Sequence, residues 1–251
     1  MADTDFMGGF AKGLSVIEAF GEAQPRLSIA EVSKLAGLDR ATARRCLLTL
    51  ATLGYADYDG KFFSLTPKIL RLGHAYLSAT PLPQIVQPLL DRLSEDVGQS
   101  ASVSVLDGQE IVYVARASQR RVMSINLMPG SRLPAYCASM GRVLLAALPE
   151  EEARRRIETS PREQATPKTM VDITELMDEI GRVRTQGYAV IDQELELGLC
   201  SIAVPLLDAR GRTVAALNIG APAAQISAND LAVRFLPPLQ AVAQQLRPLL
   251  R

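Results

Sequence analysis

The stretch SIAEVSKLAGLDRATARRCLLTLATL, residues 28–53, constrains this chain more than any other. Ser28 and Glu31 have the spacing of a capping box, in which each side chain satisfies an orphan amide at a helix start. Ile29, Val32, Leu35 and Ala36 then recur on one helical face. Gly37 supplies the turn, because glycine takes a positive φ without steric cost. Asp39 is placed to cap a second helix whose Ala43, Cys46, Leu47, Leu50 and Leu53 again share a face. Arg44 and Arg45 project from the other side with Ala41, and Arg40 and Thr42 sit in the first turn. The pattern reads as a helix-turn-helix whose second helix is shaped to enter a DNA major groove. A plain helical hairpin with a solvated arginine face competes with it, and Leu48, lying toward the outward face, favours that competitor.

The residues that follow favour the first reading. In YADYDGKFFSL, Tyr55, Tyr58, Phe62 and Phe63 flank Asp59-Gly60, a short-range hairpin signal. An amphipathic segment at 10–22, with Phe10, Leu14, Ile17 and Phe20 toward the later helices, precedes them. Three helices and a hairpin make a winged helix-turn-helix over residues 1–66, with Lys61 near the wing tip in reach of a phosphate. A mere sheet edge is the alternative for the hairpin. Residues 67–83 read as a linker helix that starts with Pro67 in its first turn and stops before Pro81 and Pro83. Its Ile69, Leu70, Leu72, Tyr76 and Leu77 suit a dimer contact.

Residues 84–251 read as a second domain. A helix is expected over 89–97 and strands over 100–106, where serine alternates with apolar residues as in a half-buried strand, and over 110–117 and 122–127. Helices follow at 139–148, 150–157 and 173–186, then a strand at 188–192 and a hairpin of 201–207 with 213–219. A closing helix over 229–246 is expected to kink or break at Pro237-Pro238. The fold class is therefore multidomain α+β, the second part a mostly antiparallel sheet flanked by helices, as in small-molecule sensor modules.

Composition excludes several functions. The 251 residues leave room for two domains, and 48% hydrophobic with 22% charged residues describes a globular chain. A net charge of zero argues against a general polyanion binder, so contact with nucleic acid has to come from local charge. No apolar run nears the roughly 18 residues of a membrane span. MADTDFMGGF lacks a basic region ahead of an apolar one, so no secretory signal is expected. Cys46, Cys137 and Cys200 are dispersed, have no metal-ligand spacing and fit a reducing cytoplasm. His74 is the single histidine, which argues against structural zinc and leaves a hydrolase triad with one candidate base. With no phosphate loop and no dinucleotide fingerprint, neither metal nor cofactor is expected. Asp192 and Glu194 resemble an acid/base pair, yet without a partner histidine a ligand hydroxyl or loop solvation suits them better than catalysis. The chain is not expected to be an enzyme.

At this point the residues resemble the IclR family of transcription regulators across nearly the whole chain. MGGFAKGLSVIEAF near the start and RLPAYCASMGRVLLA from Arg132 resemble the branch that answers to aromatic acids of the β-ketoadipate pathway, the regulators of protocatechuate and 4-hydroxybenzoate degradation. LELGLCSIAVPL from Leu195 resembles the family at large and departs from it at Cys200, where relatives often carry arginine. The resemblance implies a GAF-like effector domain, homodimers joined through the DNA-binding domains and often homotetramers. It also implies activation of catabolic genes in response to a small aromatic or dicarboxylic acid, with RNA polymerase as a further partner of an activator. A repressor sensing another small carboxylic acid stays open as the alternative. Carried onto this chain, the effector site includes Ser139, equally a helix N-cap, with Ser201 and Asn218 on adjacent strands. Asp192 and Glu194 fall in the family's ligand loop, while Met123, Met140 and Leu144 serve as apolar walls or ordinary core. Arg121 and Ser124 could bind a carboxylate, although Arg120 and Arg121 equally fit a solvated turn. On the DNA side, Arg44 and Arg45 are candidates for base or phosphate contacts, and Arg40 and Thr42 for backbone positioning.

Overall fold

Ser28 and Glu31 form the capping box that their spacing predicts, each side chain taking the other's backbone amide. They open α2 (Ile29–Leu35), which follows α1 (Gly8–Glu18). Asp39 caps α3 (Arg40–Thr52) by accepting from the Thr42 amide at 2.9 Å. Strands β1 (Ala56–Tyr58) and β2 (Phe63–Leu65) then pair antiparallel around Asp59, whose carboxylate accepts from the Lys61 and Phe62 amides. The winged helix-turn-helix is thus the observed order. This computed structural model describes residues 6–21, 24–118 and 127–250, which divide into two units, Met1–Ala79 and Thr80–Arg251.

The first unit is built on Val16, Leu27, Val32, Ala43, Leu47, Leu50, Ala56 and Phe63. Leu35 and Leu53 are exposed, contrary to their place in the helical stripes, as are Phe10 and Leu14. Helices of 7 to 13 residues bury only the positions nearest their crossing. On α1 that position is Val16, and Phe10, Leu14 and Leu53 line an open apolar groove instead. A 3₁₀ turn at Pro67–Ile69, capped by Thr66, leads into α4 (Leu70–Ala79), where Leu70, Leu72 and Tyr76 are exposed. The side chain of Leu77 lies outside the described residues.

In the second unit, α5 (Leu82–Val97) starts well before the expected residue 89 and carries Pro88 inside it. The carbonyl that Pro88 leaves without a helix donor belongs to Gln84, an exposed residue, where solvent is available to replace the lost bond. The same holds for α9 (Ala228–Leu246), which runs through Pro237 and Pro238 without the expected break. There the freed carbonyls belong to Val233 and Arg234, both on the exposed side.

Both helices pack on a six-stranded antiparallel sheet of order β5-β4-β3-β8-β7-β6. Its strands are β3 (Ser100–Asp107), β4 (Glu110–Ala117), β5 (Arg132–Pro134), β6 (Ala189–Asp192), β7 (Leu199–Leu207) and β8 (Thr213–Pro222). One face packs on α5 and α9 through residues such as Leu90, Ile202, Leu217 and Phe235. The other packs on α6 (Ser139–Ala146), α7 (Glu150–Thr159) and α8 (Ile173–Gln186) through Met140, Leu144, Ile157 and Ile180. The strand expected over 122–127 falls outside the described residues up to Leu127, which is buried and in no strand. Among the described residues, no helix is long and apolar enough to cross a membrane.

One contact sets where α6 begins. A Cβ on Gly141 would overlap the backbone of Ala135, so the helix can lie against the preceding 3₁₀ turn only with glycine there. Gly141→Ala is expected to cost about 1–3 kcal/mol, as overpacking typically does. The predicted readout is a melting temperature several degrees below that of the parent.

Candidate ligand pocket and nucleic-acid interface

A cavity opens on the α6 side of the sheet, and its floor is polar. Arg116 on β4 lies opposite Ser102 on β3, and Ser102 lies opposite Asn218 on β8, so three neighbouring strands present three polar side chains in one row. Arg116 donates from Nη1 to Ser102 Oγ at 3.0 Å. One step along, Gly220 faces Ser100 and Ser201, and Ser201 Oγ donates to Ser139 Oγ at 2.9 Å. Met140 covers the row from α6 and accepts from Ser104 Oγ at 3.2 Å through its sulfur. Cys137 and Leu195 add to the lining, and the thiol of Cys137 is pushed up to about 11 by burial. The enclosed space measures about 40 Å³.

Two groups in this row lack a counterpart. Asn218 Oδ1 is buried without a hydrogen-bond partner among the described residues. Arg116 is half-buried, its pKa is lowered by desolvation, and none of the ion pairs among the described residues includes it. A desolvated guanidinium with one neutral acceptor is well matched to a planar anion, which fills its donor fork bidentately.

The sequence reading missed Arg116 because it took the serines of β3 for a solvent-facing set. Ser100, Ser102 and Ser104 are all buried, since both faces of the sheet are covered. That polar alternation, running beside an arginine in the apolar strand EIVYVARA, was the available signal.

Of the expected effector residues, the structure brings together Ser139, Met140, Ser201 and Asn218. Arg121, Met123 and Ser124 lie outside the described residues. Leu144 is packed in the core between sheet and α6, not on the cavity. Glu194 is neither solvated nor in the lining: its carboxylate is spent on Arg142, at 2.7 Å, and on the Met170 amide, at 3.0 Å. Asp192 is also outside the lining, its carboxylate held by Lys168 at 2.6 Å with further bonds from Gln193 and the Cys200 thiol. The thiol at position 200 therefore meets an aspartate.

The candidate nucleic-acid face is the outer face of α3. Arg40, Ala41, Arg44 and Arg45 are exposed, and no ion pair among the described residues neutralises the three arginines. Lys61 is exposed on the wing, 5.0 Å over the Phe62 ring. Thr42 departs from expectation, being 8% exposed and turned toward the α1–α3 groove, where its Oγ1 accepts from Arg45. A residue so placed supports the helix start and offers no side chain to a phosphate.

The Asp192 carboxyl sits at about 2, chiefly through Lys168, then Gln193, with the Cys200 thiol contributing less. A carboxylate depressed in this way contributes stability above its unfolded pKa of about 4 and loses it as pH falls through about 2. Lys168→Met is expected to raise the Asp192 midpoint toward the ordinary range. Carboxyl titration by NMR, read against melting temperature between pH 2 and about 5, checks both the shift and its sign.

Comparison with known proteins agrees with this anatomy. Residues 10–60 match the IclR helix-turn-helix domain, and residues 74–247 match the C-terminal domain of bacterial IclR transcriptional regulators. A Pca regulon regulatory protein of Pseudomonas putida is 47% identical over 97% of this chain and 84% of its own length. The p-hydroxybenzoate hydroxylase transcriptional activator of Acinetobacter baylyi is 38% identical, over 98% and 92%. The inducer-binding domain of an Acinetobacter PobR double mutant, solved with 3-hydroxybenzoic acid, superposes with a TM-score of 0.63 at 35% identity, covering 67% of this chain and 98% of that one. With both of its domains matched in order by these models, the chain belongs to the IclR family of bacterial transcriptional regulators.

Proposed function

We propose that this regulator activates genes of aromatic-acid catabolism when a hydroxylated aromatic carboxylic acid binds in the cavity of its C-terminal domain. The observation that carries the reading is Arg116, a desolvated guanidinium with no carboxylate beside it. The effector's carboxylate supplies that partner, with Ser102 steadying the fork. A ring hydroxyl meets the unpartnered Asn218 Oδ1, and Ser139 and Ser201 offer a second hydroxyl pair. The names of the relatives, a Pca regulator and a p-hydroxybenzoate hydroxylase activator, point to the same ligand class. A repressor answering to a smaller, non-aromatic acid is the competing reading.

Size adds a mechanical element. A cavity of roughly 150 Å³ is what takes up a benzene, so a benzoate enters the present 40 Å³ only by moving lining residues. The conformation it binds therefore differs from this one, and the ligand shifts the population between the two by its difference in affinity for them. In this scheme residues 1–66 bind the operator, 67–83 link and 84–251 sense. The protein acts in the cytoplasm as a homodimer or homotetramer, with the exposed Leu70, Leu72 and Tyr76 available for self-contact, and RNA polymerase is the partner of the activated form. Arg44 and Arg45 read or grip the operator, and Arg40, Ala41 and Lys61 complete the face.

Calorimetric titration with 4-hydroxybenzoate, protocatechuate, β-ketoadipate and pyruvate tests the sensor. A hydroxybenzoate is expected to bind most tightly, and Arg116→Met to weaken it by about 1.5–3 kcal/mol, the range for a hydrogen bond to a charge, or roughly 10- to 150-fold. Binding of pyruvate alone would transfer the protein to the competing reading. For the DNA face, Arg44→Ala with Arg45→Ala is expected to abolish operator retention in a mobility-shift assay while leaving the melting temperature unchanged. Undiminished retention would remove α3 as the reading element.

A further inference from the structure

Arg142 is the largest side chain that the fold buries completely, and its ion pair with Glu194 leaves both side chains under a tenth exposed. Desolvating two charges costs several kcal/mol each, which the attraction between them barely offsets. An apolar pair would hold the core as well, so the ionic pair calls for another use.

Its connections supply one. Arg142 Nε donates to the Tyr136 carbonyl at 3.0 Å, which fixes the turn carrying Cys137, Ala138, Ser139 and Met140 along one wall of the cavity. Arg142 Nη2 holds Glu194, the residue before Leu195 on the opposite wall. The Glu194 backbone is held in turn, its carbonyl accepting from Thr169 Oγ1 at 2.6 Å, and the neighbouring Gln193 carbonyl accepts from Thr166 Oγ1 at 2.8 Å. Gln193 itself has φ of 61°, the one positive value at a non-glycine residue among those described. A backbone in that region persists only where its surroundings over-determine it. One guanidinium thus bridges two wall segments that are 52 residues apart in the chain.

We propose that the Arg142–Glu194 pair is a positioning element of the ligand pocket, setting the gap between the Cys137–Met140 wall and the Leu195 wall without touching the ligand. The proposal rests on the cavity being the effector site, but the spacing of its walls can be measured with no effector present. In a Cys46→Ser, Cys200→Ser background, the rate at which a thiol reagent labels Cys137 reports how closely that wall is held. Arg142→Met with Glu194→Met removes both charges while keeping the volume filled, and Arg142→Lys keeps the charge but loses the fork that serves Tyr136 and Glu194 together.

The expected result is a melting temperature for the double variant within a few degrees of the parent, with Cys137 labelled at least tenfold faster in both variants. Affinity for 4-hydroxybenzoate falls at least tenfold alongside. Parental labelling rates in whichever variant keeps the parental melting temperature would overturn the proposal and leave the pair as core packing only. If the parent binds no aromatic acid, the proposed function fails, while the labelling rates still decide the positioning role.

Discussion

The sheet of the sensor domain is covered on both faces, and that constraint governs everything polar within it. Leu90, Phe235 and their neighbours close one side while Met140, Leu144 and Ile180 close the other, so the middle of the sheet is shielded from water on both faces. A serine or an arginine placed there loses water and has to find its bonds inside the protein. Ser104 finds a methionine sulfur and Ser201 finds Ser139. Arg116 and Asn218 are left short among the described residues, and the proposed ligand site rests on that shortage.

The buried charges divide by how completely they are answered. Arg142 has a carboxylate, a carbonyl and a thioether around it, the carboxylate answering its charge. Arg116 has one serine hydroxyl. The two arginines belong to one domain and differ in burial, Arg142 being enclosed and Arg116 half-buried, and in how far the chain completes their coordination; in the proposed reading one serves as architecture and the other as receptor. Glu194, whose position in the sequence suggests a ligand contact, instead lies outside the cavity lining with its carboxylate on Arg142 and the Met170 amide.

Local order was legible in the sequence where short-range chemistry decides it. The Ser28–Glu31 box, the Asp39 cap, the Asp59-Gly60 wing and the helix ending at Gly187 all depend on contacts within a few residues, and all are present. Ser139, Met140, Ser201 and Asn218 were recognised by resemblance and do meet at one cavity. What stayed hidden depends on neighbours far along the chain. The inward serines of β3 look like a solvent face until α6 is laid over them. Thr42 looks like a DNA-facing residue until α1 is packed beside it. Pro88, Pro237 and Pro238 look like helix breakers until it is known that the carbonyls they orphan belong to exposed residues.

A pocket of this kind trades affinity against responsiveness. If the cavity already had the volume of its ligand, binding would favour the conformation that exists and shift nothing, however tight it was. In the proposed reading the walls part from a cavity of about 40 Å³ to admit a ring, and the free energy of parting them is subtracted from the affinity. On that reading the same quantity separates two conformations, so a wall held too loosely would lose the signal and a wall held too firmly would lose the ligand. The proposed positioning role fits this requirement, because a directional ionic bridge linked to α6 through Arg142 and to the Gln193 turn through Glu194 would confine the deformation to few bonds. An apolar contact, being non-directional, would spread it through the core.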